Sequence, residues 1–229
     1  VNSLTTSPVA EVLDRLIGQA NVADKPLHDS FADGSYSVEQ MLQDDRCDFR
    51  KLCHDQIDNF LNIDPNMGKF LYLCARGMRA ERIVEFGTSF GISSIYLTCA
   101  LKDNGGGKFI GTELESVKAV KAVENLEAAG LGDLAEVRVG DARETLRGGV
   151  GGPIDLLLLD GAYHLYLPVL RLLEPNLATN AIVVADNAQD LDNAYLSYVQ
   201  DAGNGYMTLP LPFHPERGNY ISVYTGVEA

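Results

Sequence analysis

Five acidic residues close or follow five apolar runs: Glu85 near the end of ERIVEF, Glu113 closing KFIGTE, Asp141 after AEVRV, Asp160 closing IDLLLLD and Asp186 closing AIVVAD. Apolar runs of this length read as strands buried on both faces, and open parallel sheets bind ligands outside the carboxyl ends of their strands. One acid at such a place is as readily a helix cap or turn residue. Five in series describe a lined pocket. The first turn, VEFGTSFGISS, is Gly-rich, but Gly87 and Gly91 are spaced GxxxG and not GxGxxG. Glycine there permits a tight turn and close approach of backbone to a ligand. Ser93 and Ser94 follow in a helical turn, where N–H groups and hydroxyls can hold a carboxylate or phosphate. Glu113, one βαβ unit on, is placed to accept from both hydroxyls of a ribose, and Asp141 could accept from an adenine amino group. Together they outline a nucleoside pocket with an anion end and no P-loop lysine.

The elements that must position these residues alternate. Helical patterns ISSIYLTCALK, ESVKAVKAVENLEAAG, a short ARETLR and LYLPVLRLLEPNL lie between the strand candidates, and a further helix is expected near Leu191 to Gln200. That alternation predicts a parallel sheet covered on both faces. YMTLPLP and NYISVYTG, separated by a short loop, read as an antiparallel pair at the sheet's end. The first eighty residues read as helices. Ser7-Pro8 reads as a cap with proline at the first helical position, followed by Val9, Val12, Leu13, Leu16 and Ile17 on one face. A second helix is expected around Val38 to Leu61 and a third from Pro65 to near Gly77, while DKPLHDSFADGSY reads as a flexible loop.

Length and composition bound the rest. A chain of 229 residues holds one full domain, and 46% hydrophobic with 22% charged residues is ordinary globular composition. A net charge of −14 argues against nucleic acid and anionic membrane surfaces as partners. A small molecule is the better partner, and a cationic one is not repelled. No apolar run is long enough to span a bilayer, and VNSLTTSPVAEVLDRL has no signal-peptide blocks, so a cytoplasmic location is expected. Cys47, Cys53, Cys74 and Cys99 form no CxxC pair or zinc spacing. Cys74 and Cys99 read as reduced core residues, and Cys53 beside His54 lacks the oxyanion-type loop that thiol catalysis needs. His28 and His54 read as solvated surface residues.

EFGTSFGIS, GTELE, GDARETL, LLLLDGAYHLYLPVLRLLEP and IVVADN, in this order, resemble the class I S-adenosylmethionine-dependent O-methyltransferases, and among them the bacterial, catechol and caffeoyl-CoA O-methyltransferase-like, metal-dependent branch. The resemblance covers roughly Asn66 to the C-terminus. It implies a Rossmann-like seven-stranded α/β sheet, mostly parallel with the last strand antiparallel and helices on both faces. Residues 1–80 would form a helical cap and dimerisation region and residues 81–229 the cofactor-binding core of a single domain, with a homodimer expected. It implies that Glu85 and the loop Gly87, Thr88, Ser89 and Gly91 hold the methionine portion of the cofactor. Ser93 would take its carboxylate, Glu113 the ribose, and Asp141 or Ala142 the adenine edge, with Asp160 beside the reacting group.

The branch binds a divalent cation through positions that are here Asp160, Asp186 and Asn187. Three oxygen donors suit Mg²⁺, or Mn²⁺ or Ca²⁺, better than Zn²⁺. Chelation favours the oxyanion of a catechol or phenolic acceptor and orients it for in-line attack on the methyl group. Relatives carry a lysine base just after the strand-four Asp, and Tyr163 stands in its place. A tyrosine titrates near pH ~10 and is a poor base, whereas neighbouring His164 has a suitable range. Three readings follow: the cation acidifies the acceptor alone, His164 replaces the lysine, or the acceptor is not a catechol. Rival functions are a metal-independent methyltransferase, a nucleotide-binding dehydrogenase, which the GxxxG turn disfavours, and a non-catalytic S-adenosylmethionine-binding protein.

Overall fold

In a computed structural model of the chain, residues 2–188 and 193–226 are described. Four helices come first: α1 (Val9–Ala23), α2 (Lys25–Ala32), α3 (Val38–Asp55) and α4 (Pro65–Gly77). Strands and helices then alternate through β1 (Arg82–Phe86), α5 (Ile92–Asn104), β2 (Lys108–Glu113), α6 (Ser116–Ala128), β3 (Ala135–Val139), α7 (Ala142–Thr145), β4 (Ile154–Leu159), α8 (Tyr166–Leu173), β5 (Leu177–Ala185) and α9 (Ala194–Gln200). β6 (Tyr206–Pro210) and β7 (Tyr220–Tyr224) end the fold.

The seven strands form one sheet in the order β3-β2-β1-β4-β5-β7-β6. β1 to β5 pair in parallel, and β7 lies antiparallel to both β5 and β6, as the terminal hairpin predicts. β4 shows why the sheet is sandwiched. Leu156, Leu157, Leu158 and Leu159 are all fully buried, and alternate ones belong to the core on opposite faces. Leucines pointing both ways need helices on both sides. The chain runs outward from β1 through β2 and β3, then returns to β4 on the other side of β1. That reversal opens a crevice at the carboxyl ends of β1 and β4.

The helical start differs in three places from its sequence reading. DKPLHDSFADGSY is mostly the helix α2, with Pro26 in its first turn. Proline is favoured there because the first-turn N–H has no partner to lose. Leu27 and Phe31, one turn apart, face a central cavity and so escape the loop reading. Pro8 occupies the cap position of α1, one residue before the helix, and no side chain caps it. α3 stops at Asp55 and is kinked at Asp48, whose backbone is non-helical. Later, α9 starts at Ala194 with Asn193 as its cap, and the expected start at Leu191 lies outside the described residues. Cys99 is buried, Cys74 is partly exposed, and among the described residues no helix is long and apolar enough to cross a membrane.

Asp24, only 2% exposed, holds the N-terminal helices to the core. Its carboxylate accepts from the backbone N–H groups of Phe60 at 2.7 Å and Leu61 at 2.8 Å, and from the Asn59 amide. Asp24→Ala strands those buried donors and is expected to cost about 1.5–3 kcal/mol in urea unfolding. A change below ~0.5 kcal/mol would show that water replaces the carboxylate.

Candidate active site

A cavity of about 800 Å³ occupies the crevice, floored by the strand ends and roofed by α2 and α3. Glu85 on β1, expected to touch the cofactor, is instead fully buried beneath the floor and does not line the cavity. Thr88 Oγ1 and Ser94 Oγ donate to Glu85 Oε2 at 2.9 and 2.5 Å, while Oε1 has no partner. Burial pushes the Glu85 carboxyl up to about 7, against the hydrogen bonds from Ser93, Ser94 and Thr88. Ser93, expected to hold a ligand carboxylate, lines the cavity with its hydroxyl turned to Glu85. The turn after β1 is tight for a physical reason. Gly87 has φ +94°, and a Cβ there would meet the Asp160 carbonyl oxygen at 2.1 Å. The β1 turn and the β4 end therefore touch backbone to backbone.

The nucleoside end lies over β2. Glu113 accepts from Ser89 N–H at 2.7 Å on one oxygen and from Glu115 N–H at 2.9 Å on the other. Ionised carboxylates have about four acceptor sites, so each oxygen keeps capacity for a ribose hydroxyl. Asp141 differs from its expected role. It caps α7, and Arg143 and Arg50 donate to it, so that Oδ1 accepts from Arg143 N and Nε and Oδ2 from Arg143 and Arg50 guanidinium nitrogens. The Arg143 hydrogen bond leads in holding this carboxyl below the usual range. With four bonds accepted, Asp141 is saturated and can take an adenine amino group only if a guanidinium withdraws. Ala142 lines the cavity beside it. Nothing in the local sequence announces Arg50, because it arrives from α3, ninety-one residues earlier.

The far end holds Asp160, Asp186 and Asn187, and strand register brings them together. Leu159 pairs with Ala185 in the parallel β4–β5 ladder, so the next residues, Asp160 and Asp186, stand side by side. Asp160 N–H donates to Phe86 O at 2.8 Å and Asp186 N–H to Leu159 O at 2.9 Å, which carries the ladder one step past the strands. Burial, then each other's charge, raises Asp160 well above the usual carboxylate range; burial brings Asp186 to about 6. Asn187, with φ +52°, donates from Nδ2 to Asp186 at 2.6 Å, leaving its amide oxygen as a donor atom for a ligand. Among the described residues no group of three His, Cys, Asp or Glu side chains is arranged for a metal. This set is two carboxyls and an amide oxygen. A buried and a half-buried carboxyl side by side suit a hard dication, which offsets the cost of ionising both.

Neither candidate base is set up to take a proton from a ligand in the cavity. His164 is turned to the roof: its N–H and Nδ1 both meet Asp45 Oδ2, at 3.0 and 2.7 Å, and its ring packs near Phe49. It lines a separate, smaller cavity and not the central one. Tyr163 does line the central cavity, but burial pushes its phenol above the usual range, the wrong direction for a base. Asp45, a 2% exposed carboxylate in a polar helix, is the residue the sequence hid. Cys53 is pushed up to about 11 by burial, which leaves no thiolate for catalysis.

Glu85 carries a pH signature. Its folded value of about 7 exceeds the reference 4.5, so the folded state holds a proton that the unfolded state has lost. Its contribution therefore falls as pH rises from 4.5 towards 7, by at most ~1.4 kcal/mol per pH unit. Glu85→Gln should flatten that fall in urea unfolding across the window. An unchanged slope would assign it to other groups.

A methyltransferase-domain family model matches residues 84–188, from mid-β1 to the Asp186–Asn187 corner. A catechol O-methyltransferase of Niastella koreensis is 35% identical over 134 residues, 56% of this chain and 58% of that one. The one from Mycobacterium tuberculosis is 34% identical over 125 residues, 55% of this chain and 56% of that one. Each match thus spans somewhat over half the relative's length. Among solved structures, the O-methyltransferase TomG of Streptomyces achromogenes, in complex with S-adenosylmethionine, superposes with a TM-score of 0.64 at 25% identity, covering 82% of this chain and 90% of that one. Residues 84–188 thus match a methyltransferase domain, and in sequence and fold the chain is similar to S-adenosylmethionine-dependent O-methyltransferases.

Proposed function

We propose that the protein transfers a methyl group from S-adenosylmethionine to a hydroxyl of a small catechol-like or phenolic acceptor, with a divalent cation held by Asp160, Asp186 and Asn187. The observation that carries this is the single cavity that joins a nucleoside end at Glu113 to an oxygen-donor end at Asp160 and Asn187. The curated relatives named catechol O-methyltransferase support the acceptor class. The helices of residues 1–80 are the acceptor-side roof, contributing Phe31, Val38, Met41 and Leu42 to an apolar lining. An apolar wall with a few placed polar groups suits an aromatic ring.

When bound, S-adenosylmethionine supplies an electrophilic methyl carbon and the cation supplies Lewis acidity that favours the ionised hydroxyl. Glu113 accepts from the ribose, and the Gly87–Gly91 turn brings backbone close to the methionine portion. Asp160 and Asp186 would hold the cation through their carboxylates, which its charge keeps ionised. The acceptor oxygen's lone pair forms the new bond to the methyl carbon while the carbon–sulfur pair returns to sulfur, leaving a neutral thioether. His164 is taken up by Asp45, so acidification of the acceptor falls to electrostatics.

Labelled methyl transfer to catechols, caffeoyl-type phenols and monophenols, with Mg²⁺ and with EDTA, tests the reading. Vicinal diols should be labelled in Mg²⁺ and lose labelling in EDTA. Labelling unaffected by EDTA would remove the cation, and cofactor binding with no turnover on any acceptor would favour a non-catalytic role. Glu113→Ala should weaken S-adenosylhomocysteine binding by roughly 1–3 kcal/mol by calorimetry. Unchanged affinity would reduce Glu113 to a clasp for the Ser89 turn.

A further inference from the structure

Arg217 enters the acceptor end from the β6–β7 connection, on a 3-10 turn formed by Pro215–Arg217. The turn is built onto the donor corner and does not hang free. Ala188 N–H donates to Gly218 O at 2.8 Å, and Asn187 N–H donates to Asn219 Oδ1 at 2.7 Å. Asn219, 2% exposed, also donates from its amide to Phe213 O at 2.9 Å and accepts Leu211 N–H on its carbonyl at 2.7 Å. The turn closes on itself through Arg217 N–H to His214 O at 2.8 Å. One buried asparagine thus fixes the hairpin to the residue after Asp186, and the guanidinium lines the cavity there.

Lys118, His214 and Arg50, basic groups around the cavity, are committed. Lys118 donates to Asn59 O at 2.8 Å and lies 5.5 Å over the Phe90 ring, and His214 meets Asp64 at 3.6 Å. Arg50, above the nucleoside end, is spent on Asp141. The Arg217 guanidinium makes no hydrogen bond or ion pair with the described residues, although its charge is felt at Asp186 and Tyr163. A guanidinium has five donors. Beside the Asp160 and Asn187 end of the cavity, unspent donors point to an anion that arrives with the ligand.

Building on the methyl-transfer reading above, we propose that Arg217 is a catalytic residue: its guanidinium donates to the acceptor oxygen that is to be methylated and stabilises it as the oxyanion. Arginine stays protonated and cannot take the proton itself. It acts by favouring loss of the acceptor's proton to water, in a site where a fixed charge works through low dielectric. This gives the site an electrostatic device at the end where Tyr163 and His164 supply no base.

The test reads the acceptor's ionisation directly, without turnover. A nitrocatechol, whose absorbance changes on ionisation, is titrated across pH while bound to the protein loaded with S-adenosylhomocysteine and Mg²⁺. Wild-type protein should bind it with an ionisation constant raised at least tenfold over solution. Arg217→Met should lose most of that gain and lower kcat for weakly acidic phenols by about 10- to 100-fold, with S-adenosylhomocysteine affinity unchanged. Arg217→Lys should restore much of both. A bound ionisation constant identical in wild type and Arg217→Met, with wild-type turnover intact, overturns the inference alone and leaves Arg217 a surface counter-charge. Wild-type protein that neither binds nor methylates the phenol overturns the functional reading and this inference with it.

Discussion

Two carboxyls placed side by side in a water-poor crevice set the terms for this protein. Because β4 and β5 run parallel and in register, the residues one step beyond their ends, Asp160 and Asp186, must be neighbours. Neither can turn away, since the ladder continues through their own N–H groups. Leaving water is costly for each charge, and like charges in contact add to that cost. Burial raises both carboxyls, and the Asp186 charge adds to the rise at Asp160. A sheet that packs leucines to its last residue and then sets two acids in contact is arranged around something positive.

The roof follows the same cleft. α3 reaches Asp160's turn through Asp45 and His164, and reaches β3's end through Arg50 and Asp141. Phe49 sits between these contacts, under the Arg50 and Arg143 guanidinium groups. The kink at Asp48 falls between the two ties, so one helix can follow both ends of the pocket. This division explains why His164 is unavailable as a base and why Asp141 is saturated. Both are spent on holding the cover in place.

The sheet was legible because its signals are local. β1, β2, β3 and β4 lie where the apolar runs lie, to within a residue; Glu113, Asp141 and Asp160 line the cavity, whereas Glu85 is buried beneath it. β5 begins four residues before AIVVAD, at Leu177, because the polar Ala178–Asn180 stretch carries no strand pattern although the backbone is already extended. What the sequence concealed depends on distance along the chain. Arg50 meets Asp141, Asp45 meets His164 and Arg217 meets the donor corner across gaps of dozens of residues, and no periodicity encodes such meetings. The α2 loop reading failed for another reason: Gly, Asp, Ser and Pro mark turns, but proline in a first turn also begins helices.

The central claim is that the Asp160–Asp186–Asn187 corner holds a divalent cation within the cofactor cleft. Calorimetric titration of Mn²⁺ into the protein loaded with S-adenosylhomocysteine, near pH 6 and in buffers of different ionisation heat, tests it most directly. The account predicts one site, lost in Asp160→Asn and Asp186→Asn, with net proton release on binding because burial raises both carboxyls. Saturation that is equal in both variants, or no Mn²⁺ binding up to millimolar concentration, would contradict it.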